Sequence, residues 1–232
     1  MLQRPAVLTY HGVGAATDEQ DPSRLVVTPQ RLRTHITHLQ RRGYRFLRAS
    51  DLVGREAAAG EAVLTFDDGF LDWRTGLLPV LEELQVPATL YVNPGLWGAQ
   101  HADVHGPPGR LLDRAQAAEL AASPWVELGS HALTHRDLRT LDDTTLRDEL
   151  VGSKAALEDL TQRPCATHAY PFGLYDDRVV AAAADAGYQL AWDWMPGRWE
   201  RALAAPRMPA PTRAGALVLA LKLVGVRRRW GR

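Results

Sequence analysis

Short apolar runs alternate with helix-patterned segments along most of this chain, and that alternation limits the possible folds more than any other feature. Seven runs rich in apolar or β-branched residues, at 6–10, 44–47, 63–66, 88–92, 126–129, 167–170 and 189–192, read as strands. The segments between them carry helical stripes with recognisable starts and stops. Thr28 is a predicted N-cap with Pro29 at the first helical position, Leu32, Ile36 and Leu39 on one face, and Gly43 as the stop. Further helices are predicted at 77–84, 111–121, 145–160 and 177–186, the last opened by Asp176 and ended by Gly187. Alternation of this kind favours parallel strands with helices packed outside, and seven strands suggest a distorted α/β barrel of the (β/α) type. With 232 residues, 46% of them hydrophobic, and no internal repeat or linker, the chain is expected to form one domain over 1–232, ending in an apolar and basic segment from about 212 to 232.

Charge and cysteine content narrow the partners. Basic and acidic residues balance at 27 each, so nothing points to nucleic acid as a whole-surface partner. The single cysteine, Cys165, cannot form an intrachain disulfide and reads as a small apolar filler. Residues 1–5 lead directly into the first apolar run and leave no room for a secretory leader. The expected location is therefore the cytoplasm, unless a leader has been trimmed. Residues 214–224 are mostly apolar and are followed by Arg227-Arg228-Arg229-Trp230-Gly231-Arg232. This stretch is too short to span a bilayer. It is expected to form a last helix on the barrel, the alternative being peripheral contact with the anionic inner membrane surface. Oligomeric state has no signal in the sequence.

The strand at 63–66 ends on Asp67-Asp68-Gly69, two adjacent carboxylates followed by the residue best able to turn sharply. Buried acidic pairs are costly without a compensating cation or proton. After the strand at 126–129 come His131 and His135, spaced i, i+4, which on a helical turn would share one face. One carboxylate and two imidazoles make a three-ligand set for a divalent ion with an open fourth position, as in catalytic zinc sites. The second carboxylate is then free to act as a base. Ligand sites in α/β sheets and barrels lie at the C-terminal strand ends, where these residues stand.

Three blocks together carry a resemblance: Thr65-Phe66-Asp67-Asp68-Gly69, then Ser130-His131 with His135, then Ala169-Tyr170-Pro171-Phe172-Gly173 followed by Tyr175-Asp176. Their order and separation resemble the polysaccharide deacetylase family, carbohydrate esterase family four with its NodB-homology domain, over nearly the whole chain from Ala6 to about Pro209. The resemblance implies Asp67 as catalytic base and Asp68, His131 and His135 as metal ligands. It also implies that the Tyr170 backbone N–H serves the oxyanion and that Pro171, Phe172 and Gly173 shape the groove wall. The expected ion is one divalent metal, zinc first, with cobalt, nickel or manganese as substitutes.

The chain departs from the common family pattern in two places. No histidine follows His168, so the late histidine that protonates the leaving amine in many members is missing. The chain resembles instead the members with an N-terminal Tyr-His donor, here Tyr10-His11 after the first strand. His11 is the expected acid, with His101, His105 or water as alternatives. The arginine that holds the base carboxylate in many members is also missing from its usual place. Arg207 looks like the late arginine of the permuted members and is expected either to pair with Asp67 or to lie on the surface. Trp194 is expected to wall the acetyl pocket or to pack in the core. The breaker-rich stretch 93–110 is expected to be a rim loop, its His101 and His105 solvated rather than a second metal site.

By resemblance, the expected activity is metal-dependent removal of N-acetyl groups from an acetamido sugar, polysaccharide or lipid-linked glycan. Two other functions fit the same residues: hydrolysis of a small amide, imide or ester, and carbohydrate binding without catalysis. Retention of Asp67, Asp68, His131 and His135 argues against the last.

Overall fold

The computed structural model describes residues 5–101 and 109–229, with side chains described as far as Leu223. Its strands are β1 (Ala6–Tyr10), β2 (Arg45–Leu47), β3 (Glu61–Phe66), β4 (Ala88–Val92), β5 (Val126–Ser130), β6 (Thr167–Ala169), β7 (Leu190–Trp192) and β8 (Met208–Pro209). Every pairing between these strands is parallel. Seven strands follow one curled path in the order β7-β6-β5-β4-β3-β1-β8, and β2 pairs with β3 beside it. A single segment spans the gap between the two ends of the path. Ala205 bridges Trp192 of β7, and Met208 then pairs with Leu8 of β1. The distorted barrel read from the alternation is therefore the observed architecture. β8 was invisible in the sequence because a two-residue strand ending in proline has no period to detect.

The helices are α1 (Pro29–Arg41), α2 (Leu78–Leu84), α3 (Arg114–Ala121), α4 (Asp143–Thr161), α5 (Asp177–Asp185) and α6 (Ala216–Arg229). Thr28 caps α1 by accepting the Arg31 N–H at 3.3 Å, and Leu32, Ile36 and Leu39 are buried as their spacing predicts. Asp113, Asp142 and Asp176 cap α3, α4 and α5 in the same way. α3 starts later than predicted because Leu111 is drawn into a bridge with Phe70. α6 buries Leu219 but leaves Leu217 and Leu221 exposed. Residues Trp230–Arg232 and His105 lie outside the described residues, and among those described no helix is long and apolar enough to cross a membrane.

Side chains alternate across the sheet and build two apolar layers. Leu8, Tyr10, Leu64 and Phe66 face the helices and pack with Leu32, Ile36 and Leu39 of α1 and Val80 and Leu81 of α2. Val7, Val63, Tyr91, Ala169, Trp192 and Ala205 form the other layer, inside the barrel. Each such buried aliphatic or aromatic side chain contributes roughly 1.5–3 kcal/mol. Gly129 is required here, since an added Cβ would sit 2.4 Å from the Tyr91 ring. These layers hold the strand ends rigidly at one rim.

Candidate active site

Strand register brings the polar residues together. Tyr10 of β1 pairs with Phe66 of β3, so His11 and Asp67 emerge side by side beyond the paired strand ends. The Asp67 N–H donates to the Tyr10 carbonyl at 3.0 Å. Ser130, the last residue of β5, pairs with Val92 and with His168, and so sets His131 at the same rim. His11, Asp67, Asp68, His131 and His135, with Tyr170, Phe172 and Trp194, line a cavity of about 120 Å³.

Asp68, His131 and His135 form a close donor set: Oδ1 of Asp68 lies 3.3 Å from Nε2 of each histidine. Two donors about 2.1 Å from a tetrahedral ion would stand roughly 3.4 Å apart, so the spacing fits a shared divalent cation. The His131 Nδ1 is 2.7 Å from the Ala169 carbonyl, which fixes the proton there and leaves Nε2 as the ligand atom. Burial pushes the Asp68 carboxyl up, but the His131 and His135 imidazoles beside it outweigh this and hold the group well below the usual carboxylate range.

The two histidines do not share a helical turn, contrary to the sequence expectation. They flank a loop in which Ala132 (φ 62°) and His135 (φ 55°) are left-handed. Tertiary contacts hold that strained shape. Glu149 of α4 accepts the Leu133 N–H at 2.9 Å, the Thr134 N–H at 2.8 Å and the Thr134 hydroxyl. Asn93, just past β4, donates to the His131 and Ala132 carbonyls. Neither Glu149 nor Asn93 stood out in the sequence, because each lies far along the chain from the loop it supports.

Asp67 is held differently. Arg207, 2% exposed, meets it with two parallel hydrogen bonds, Nη1 to Oδ1 at 2.8 Å and Nη2 to Oδ2 at 2.7 Å. The same guanidinium donates to Thr65 Oγ1 at 3.0 Å and to the Asp193 carbonyl at 3.1 Å. Burial raises the Asp67 pKa, yet the Arg207 charge, with His131, more than offsets this and leaves it below the ordinary value. Arg207 reaches the carboxylate because it sits on the segment between Ala205 and Met208 that links β7 to β1.

His11 is buried at the same rim, its carbonyl accepting from the Trp73 indole at 2.7 Å. Burial lowers its pKa below 6.5, partly countered by Asp68 and Asp67. Its ring centre is 5.2 Å from that of Trp194. Trp194 approaches because Gly173 has no side chain; a Cβ there would lie 2.5 Å from the Trp194 Cβ. Phe172, left-handed at φ 60°, sets its ring edge-on to His135 at 4.6 Å, and Pro171 beneath it is buried.

Two expectations need correction. The Tyr170 N–H is spent on the Trp192 carbonyl at 3.3 Å, because β6–β7 pairing continues one residue past β6, so in this geometry it is not a free oxyanion donor. His101 is not a solvated loop histidine: its side chain is 5% exposed and its Nε2 lies 3.5 Å from Asp68 Oδ2.

Comparison with known proteins gives a consistent picture. A family model described as polysaccharide deacetylase matches residues 54–191. YxkH of Bacillus subtilis, which carries the polysaccharide deacetylase name, is 25% identical over 207 residues, 86% of this chain and 68% of that protein. The poly-β-1,6-N-acetyl-D-glucosamine N-deacetylase of Escherichia coli K12 is 32% identical over 137 residues, 53% of this chain but 20% of that protein. The crystal structure of BC0361, a polysaccharide deacetylase from Bacillus cereus, matches with a TM-score of 0.79 at 26% identity, covering 96% of this chain and 69% of that one.

Proposed function

This chain belongs to the polysaccharide deacetylase family, and on that footing we propose that it is a metal-dependent hydrolase that removes N-acetyl groups from an acetamido sugar in a polysaccharide or lipid-linked glycan. One observation carries the reading: the adjacent carboxylates are held in different ways. Asp68 faces two imidazoles, while Asp67 is clamped by Arg207. That is the division required between a metal ligand and a base.

Asp68, His131 and His135 would hold a divalent ion, zinc first among cobalt, nickel and manganese, which would supply Lewis acidity toward the acetyl carbonyl and the attacking water. Arg207 keeps Asp67 ionised while its oxygens retain lone pairs for a proton. Asp67 takes a proton from water as the water oxygen bonds to the carbonyl carbon. His11 gives a proton to the nitrogen as the C–N bond breaks, and acetate and a free amine leave. The lowered pKa of His11 makes its imidazolium a stronger acid, which favours delivery to a poor leaving group although a smaller fraction is protonated at rest. Trp194 and Phe172 are proposed to flank the acetyl group.

An acetate-release screen of the metal-loaded protein across chitooligosaccharides, peptidoglycan fragments, lipid-linked acetamido sugars and small amides, imides and esters tests the reading. Release from the glycans supports it. Turnover confined to small amides, imides or esters would replace it with the second function, and glycan binding without acetate would replace it with the third.

A further inference from the structure

His101 lies on the loop after β4, and the stem of that loop is tied to the strand end that carries the carboxylates. Gln100 bridges Arg110, the His101 N–H donates to the Gly109 carbonyl at 2.8 Å, and Leu111 bridges Phe70, which follows closely on Asp68. Gly109 packs so tightly that a Cβ there would lie 3.0 Å from the Phe70 ring. The His101 ring centre is 4.8 Å from that of Phe70, and the side chain is buried with its Nε2 toward Asp68.

The Asp68 carboxylate is thus divided between its two oxygens. Oδ1 faces Nε2 of both His131 and His135 at 3.3 Å, whereas Oδ2 faces Nε2 of His101 at 3.5 Å, within ion-pair distance. His101 stands outside the close donor set itself, its ring centre 6.1 Å from that of His135. We propose that His101 is a positioning residue of the metal centre: it holds the outer oxygen of Asp68, so that the carboxylate offers the ion Oδ1 alone. A carboxylate turned to bind through both oxygens would occupy coordination space that an open catalytic site leaves to water and substrate. Partners of this kind around a ligand typically change metal affinity by about 10- to 100-fold. The inference rests on the metal-site reading above and adds a residue that the family blocks do not contain.

The test uses the full chain, stripped with a chelator and reloaded. Zinc affinity is measured by competition with a chromophoric chelator, the cobalt form is followed by its visible spectrum, and circular dichroism checks the fold. His101→Ala is expected to stay folded, bind zinc about 10- to 100-fold more weakly and change the cobalt spectrum. His101→Gln, whose amide N–H can reach Asp68, should recover most of both. Wild-type affinity and spectrum in His101→Ala would overturn the proposal, as would a His101→Gln variant as impaired as His101→Ala. Because the readout is metal binding, a wild type that binds zinc but releases no acetate would leave it standing, whereas a wild type that binds no zinc would sink the metal-site reading beneath it.

Discussion

At the scale of single residues, the adjacent pair Asp67 and Asp68 is separated by what reaches each side chain. Asp68→Asn, His131→Ala and His135→Ala should each lose bound metal while the fold survives. Asp67→Asn should retain the metal and lose about 10²- to 10⁴-fold in rate. Elemental analysis beside initial rates checks this, and an empty Asp67→Asn with a loaded Asp68→Asn would reverse the two roles. His11 makes a different prediction. An amide needs its leaving nitrogen protonated and an activated ester does not, so His11→Ala should lose most amide hydrolysis but keep far more ester hydrolysis. Equal losses on both substrates, with metal retained, would leave His11 a structural residue. Both carboxylates and the two histidines that face Asp68 were legible in the sequence, because residue type at a strand end already constrains chemistry. The loop between the histidines was not, since its left-handed backbone depends on Glu149 and Asn93.

Among the elements, helix starts were readable because capping is local: Thr28, Asp176 and their helices follow from a few consecutive residues. The edge where β2 meets β3 was less transparent. Glu61, the first residue of β3, is buried and accepts from Arg55 Nη1 and the Ala58 N–H, both at 2.8 Å, and from Arg45. The hydrogen bonds from Arg55, with Ala58 and Arg45, outweigh burial and bring its pKa from 4.5 down to about 2. The folded state therefore binds fewer protons than the unfolded chain between these values. Its contribution is complete above about pH 4.5 and disappears as the pH falls through about 2. Urea denaturation over this range should show Glu61→Gln less stable than wild type at pH 7, with the gap closing on acidification. A gap independent of pH would mean that packing rather than charge accounts for the loss.

Over the whole molecule, the segment joining β7 to β1 also delivers Arg207 to Asp67, a contact between residues 140 apart in sequence. Arg207→Met strands a buried carboxylate and should cost about 3–5 kcal/mol, whereas Asp67→Asn combined with Arg207→Met should recover part of that loss. Denaturation midpoints of the three variants decide the matter, and a double variant as unstable as Arg207→Met would show that the pair is not coupled. The sequence by itself determined the parallel α/β architecture, the rim that carries the chemistry and the types of residue found there, because periodicity, caps and strand-end motifs act over a few neighbouring positions. Tertiary structure alone decided that Arg207 is buried against Asp67, that the Tyr170 N–H is spent on β7, and that His101 faces Asp68. Each of those depends on sheet register and on how nearly the barrel closes, and no short stretch of chain encodes a partner that only the assembled barrel brings within reach.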